Sequence, residues 1–122
     1  MKIFELQTPA ELRMLEVELD DLMRPVGLDV EFTRHFAERL LGREKAVTID
    51  EIKTAFAKLK KKYKKRLLAA KRDPESSRAL LRDLSADLNI VFAIQGDELT
   101  NITIMRKANF GNTDYGSKEF RV

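Results

Sequence analysis

A chain of 122 residues, 43% hydrophobic and 35% charged, is one domain's worth, with enough apolar matter for a single core and too much for a disordered chain. It has no cysteine, which excludes disulfides, thiolate metal sites and cysteine nucleophiles and fits a reducing compartment. Its longest apolar run, Ile90 to Ile94, falls far short of the roughly 20 residues of a membrane helix, the Met1–Glu5 start is too short in its apolar part for a signal peptide, and a soluble, cytosolic protein is expected.

The elements follow in order. Thr8-Pro9-Ala10-Glu11 opens a helix by a capping box, and Leu12, Leu15, Leu19 and Leu22 give it one apolar stripe. Arg24-Pro25-Val26-Gly27 stops it. Leu28, Val30 and Phe32 alternate with Asp29 and Glu31 as a short strand. Thr33 caps a second helix running to about Leu41, and Gly42 ends it. Thr48-Ile49-Asp50-Glu51 is a second capping box, opening a helix with Ile52, Phe56, Leu59, Tyr63 and Leu67 at helical spacing. Asp73-Pro74 breaks this helix and opens a further one, with Ala79, Leu80, Leu81 and Leu84 apolar.

After Leu88 the period changes to two. Leu88, Ile90, Phe92 and Ile94 alternate with their neighbours, Gly96-Asp97-Glu98 is a turn, and Leu99–Lys107 returns, with Ile102 and Ile104 on one face and Thr103 and Met105 on the other. Residues 109–117 read as a loop and 118–122 as a closing edge strand. The expected fold is α+β: N-terminal helices packed on one face of a small antiparallel sheet formed mainly by the C-terminal third. The chain reads as a single domain, 1–122, with an acidic helical element over 1–27 and an α+β core over 28–122.

The charge is unevenly placed. The net +3 divides into −5 over residues 1–31 and +8 over the rest. Within 53–72 stand ten basic residues and no acidic one. That run suggests a phosphate-bearing partner; the alternative is a solvated helix face. The candidate nucleic-acid-binding residues are Arg43, Lys58, Lys60, Lys61, Lys62, Lys64, Lys65, Arg66 and Lys107. No glycine-rich phosphate loop is present, and a single histidine gives no histidine pair for a zinc-dependent hydrolase. No metal and no cofactor are expected.

His35, Arg39 and Arg43 recur at i, i+4 and i+8 and line one helix edge. Arginine grips phosphate in a bidentate fork, and a nearby histidine moves protons near neutral pH. The plainer reading pairs the arginines with Glu38 and Glu31 and leaves His35 an ordinary surface residue.

The stretch Thr33-Arg34-His35-Phe36-Ala37-Glu38-Arg39, followed by Arg43 and the Thr48–Ile52 helix start, resembles the barnase/EndoU/colicin/RelE-like superfamily of nucleases and toxins. Residues 83–90 with 103–107 and Phe110 are similar to small proteins of tailed bacteriophages. The resemblance implies that His35 acts as proton shuttle or phosphate ligand and that Arg39 grips the scissile phosphate. It likewise implies that Thr103 and Arg106 position the phosphate and stabilise the transition state. It implies metal-independent RNA cleavage or RNA binding, in the cytoplasm of an infected host or in the virion, with RNA favoured over DNA. The alternative function is a non-catalytic phage protein that binds packaged DNA, or a host protein through the acidic helix.

Overall fold

The computed structural model describes residues 9–42, 47–73, 77–106 and 118–122. In chain order these form α1 (Pro9–Met23), a 3-10 turn (Arg24–Val26), β1 (Asp29–Phe32), α2 (Arg34–Leu41) and α3 (Ile49–Arg72). Four further strands follow: β2 (Ser77–Asp83), β3 (Leu88–Gln95), β4 (Glu98–Arg106) and β5 (Glu119–Arg121). The fold is α+β. Helices come first and strands mostly after, in one five-stranded sheet ordered β1-β4-β3-β2-β5.

Local chemistry sets the helix starts. The Thr33 hydroxyl accepts from the Phe36 N–H at 3.1 Å. At α3 the reciprocal box is complete: Thr48 Oγ1 accepts from the Glu51 N–H at 3.1 Å, and Glu51 Oε1 accepts from the Thr48 N–H at 3.0 Å. Both devices satisfy first-turn amides that have no intrahelical partner.

The sheet is mixed, which corrects the antiparallel expectation. β3 pairs antiparallel with β4 and β2, whereas the outer strands β1 and β5 run parallel to β4 and β2. Parallel neighbours need long connections, and the chain between β1 and β4 includes α2 and α3. A second correction concerns 77–83, expected as helix and found as β2. Ala79 and Leu81 join the helix-side core, while Leu80 is buried without belonging to it. Ala79, Leu80 and Leu81 are buried in succession, so this strand lacks the alternation that marks a half-exposed one.

The core lies between the helices and one face of the sheet. Leu15 and Leu19 of α1, Phe36 and Leu40 of α2, and Ile52, Phe56 and Leu59 of α3 pack with Leu81, Ile90, Phe92 and Ile104. α1 thus shares this core with the residues that follow 27. β4 carries a bulge: Val91 pairs with Thr103 but Phe92 with Asn101, leaving Ile102 as the extra residue. Ladder partners share a face, so Leu99, Asn101, Ile104 and Arg106 face the helices, opposite Ile94, Phe92, Ile90 and Leu88. Simple alternation put Ile102 there, and the bulge removes it.

Gly27 ends the 3-10 turn at φ +77°, a conformation that favours glycine. A Cβ at this position would run into the Lys71 ammonium, which donates to the Val26 carbonyl at 3.1 Å. Gly27→Ala is expected to lower stability by about 1 kcal/mol or more, from backbone strain and the displaced lysine. Chemical denaturation checks this, and an unchanged midpoint contradicts it.

Candidate nucleic-acid interface

The ten basic residues of α3 divide into two sets. One set is built into the fold. Lys60 donates to the Leu22 carbonyl at 2.9 Å, and Lys71 to that of Val26, so both serve carbonyls at the end of α1 and the turn after it. Lys53 approaches Glu18 at 3.6 Å. Lys58 binds both Asp83 oxygens, at 3.1 and 3.2 Å, and the Ser85 hydroxyl at 3.1 Å. The acidic and basic segments that the sequence separates therefore meet in space. Lys58 and Lys60, expected to contact nucleic acid, hold the fold instead.

The other set faces outward. Lys61, Lys62, Lys64, Lys65, Arg66 and Arg72 are exposed. Among the described residues, Lys61, Lys62, Lys64 and Lys65 make no ion pair. α3 departs from helical geometry between them, at Tyr63 (φ −125°, ψ 28°). The Tyr63 ring is anchored there, edge-on to Phe120 with centroids 5.2 Å apart, and its hydroxyl donates to the Arg121 carbonyl at 3.0 Å. Arg66 lays its guanidinium 4.1 Å from the Phe120 ring centroid and 5.1 Å from that of Tyr63. The basic surface is thus fixed against β5 by an aromatic base.

The residues expected to form a phosphodiester site are placed differently. His35 is exposed on α2. Arg39, one turn on, donates from Nε to the Ile104 carbonyl at 2.7 Å. Thr33 makes a matching contact, its hydroxyl to the Ile102 carbonyl at 2.9 Å. Together they cover the β4 edge beyond the reach of β1, satisfying carbonyls that an edge strand leaves open. Arg106 is engaged as well. Its guanidinium donates to Glu51 Oε1 at 2.6 Å and to the Ala86 carbonyl at 3.1 Å. Thr103 shares a face with Val91, away from the helices, whereas Arg106 faces them. The β4 bulge falls at Ile102, before both, and leaves Thr103 and Arg106 on opposite faces of the sheet. Arg43 and Lys107 lie outside the described residues.

The Arg106 hydrogen bond, opposed by partial burial, holds the Glu51 pKa below its ordinary 4.5. A carboxylate with a depressed folded pKa stabilises above its unfolded value and loses that contribution as pH falls through the folded one. Arg106→Ala is expected to cost about 1 kcal/mol at neutral pH, since solvent screens this partly exposed pair. Urea unfolding should show the gap narrowing as pH drops below 4.5, down to the part that the Ala86 carbonyl contributes. A gap of the same size in acid contradicts the assignment.

The acidic helix is likewise drawn into the fold. Asp20 accepts from the Val30 N–H of β1, and Asp21 pairs with Arg24. No helix of the described residues is long and apolar enough to cross a membrane. No family model, curated protein or solved structure matches the chain.

Proposed function

We propose that the protein is a non-catalytic nucleic-acid-binding domain that grips the phosphate backbone through the outward residues of α3. One observation carries the reading: Lys61, Lys62, Lys64 and Lys65 lie exposed within five residues, with no carboxylate paired to them among the described residues. Phosphate neutralisation by such a cluster supplies sequence-independent affinity. A bacteriophage setting, with RNA as the first partner to test, fits this reading.

The nuclease reading is less economical. It asks Arg39 and Arg106 for a phosphate while both hold strand and helix ends in place. A docked protein is a further reading, favoured by Met14 and Val17, which stand 56% and 54% exposed on α1.

Incubation of the purified protein with total RNA in EDTA, read on native and denaturing gels, separates these. The expected result is retarded, uncleaved RNA. Cleavage that disappears in His35→Ala and Arg39→Ala would replace this proposal with the nuclease. RNA that runs unretarded at low salt would remove nucleic acid as the partner.

A further inference from the structure

A cavity of about 250 Å³ opens between the C-terminal half of α3 and the sheet. Its floor is apolar, made by Ala70, Ala79, Phe92, Ile94 and Phe120. Its mouth is polar: Arg66 and Lys118 bring positive charge, Asp73 an acceptor, and Ala69 the helix wall between them. Drug-sized ligands occupy roughly 300–1,000 Å³, so this cavity suits a single small ring system.

The cavity adjoins the lysine surface. Lys65 stands one turn before Ala69 on the same side of α3, and Arg66 belongs to both features. A ligand that answers both must carry a flat, largely apolar ring and a phosphate a short distance away. Nucleotide units have that chemistry, but in a duplex their bases are stacked and paired. A single strand offers both parts freely, and proteins that bind one combine a basic track with stacking surfaces. Arg66, its guanidinium carbon 4.1 Å from the Phe120 ring centroid, sets a cation at the mouth.

We infer that this cavity receives one unpaired base of a single-stranded nucleic acid whose phosphates lie along Lys61–Lys65. The inference rests on the phosphate-binding function proposed above and adds a single-strand preference to it. The apolar floor holds the ring.

The test compares a natural single-stranded oligonucleotide with an abasic one of equal length, which keeps the phosphates and lacks the bases. Wild type is expected to bind the natural strand about tenfold more tightly, the scale of one base stacked in a site. Ala69→Leu, at an exposed helix position, fills the mouth without removing a charge or adding a stacking ring. It should bring the natural strand down to the abasic level and leave abasic binding unchanged, with thermal unfolding confirming the fold. Equal binding of both strands by wild type overturns the base cavity while leaving the phosphate surface standing. A preference that survives in Ala69→Leu also overturns it, because the base then sits elsewhere. Retention of neither strand removes the phosphate surface and the cavity together.

Discussion

Replacing Lys61, Lys62, Lys64 and Lys65 together by glutamine is expected to weaken nucleic-acid binding about a hundredfold or more at low salt. Each phosphate contact contributes roughly 0.7 to the slope of log affinity against log salt on single strands and 0.9 on duplex, so losing four should flatten it by about 3. The fold should survive, because these side chains make no ion pair among the described residues and the one ring contact among them, Lys62 over Tyr63 at 5.6 Å, is exposed. Lys60→Gln is the control. It removes the same charge from the same helix, but this lysine serves the Leu22 carbonyl. Its effect should fall on stability and leave the slope nearly as it was. A slope unchanged in the fourfold variant would place the binding surface elsewhere.

The second large effect concerns Lys58 and Asp83, where removing one partner is much costlier than removing the other. Asp83 is 2% exposed and the Lys58 side chain 38%. Asp83 also accepts from the Ser85 N–H at 3.1 Å and the Ser85 hydroxyl at 2.8 Å, fixing the turn between β2 and β3. Lys58→Met leaves a buried carboxylate without its cation, a change expected to cost about 3 kcal/mol. Asp83→Asn keeps an acceptor for Ser85 and leaves a lysine that water can solvate, for about 1 kcal/mol. Urea denaturation of the two variants gives the order directly, and the reverse order would contradict the role assigned to burial.

Much of the fold is legible in the sequence. Thr33 and Thr48 mark helix starts because capping needs a side-chain acceptor at one position, and that requirement is local. The β3–β4 hairpin is legible because its alternation is strong and Gly96, at φ +60°, sits in the two-residue turn between Gln95 and Glu98. β2 is not, because its burial on both faces erases the period that identifies a strand. The parallel pairing of β1 with β4 is also hidden, since nothing in Asp29–Phe32 records a partner some 70 residues away.

The interface is legible only in outline. The count of lysines in 53–72 announces a basic surface, but not which of them the fold consumes. Lys58 shares a side of α3 with Lys61 and Lys62, three and four residues on, and only tertiary packing gives Lys58 its partner Asp83 and Lys60 its partner Leu22. Arg39 and Arg106 show the same limit. Helical spacing places Arg39 beside His35, yet its reach to the Ile104 carbonyl depends on where β1 stops alongside β4. The cavity beside Arg66 has no sequence signature, since its floor comes from α3, β2, β3 and β5.

The most direct measurement is an amide chemical-shift titration of the isotope-labelled protein with a short RNA strand. The account predicts perturbations concentrated on residues 61–66 and extending to Ala69, Asp73 and Phe120, with His35 and Arg106 quiet. Perturbations centred instead on His35, Arg39 and Arg106 would contradict it and return the molecule to the nuclease reading.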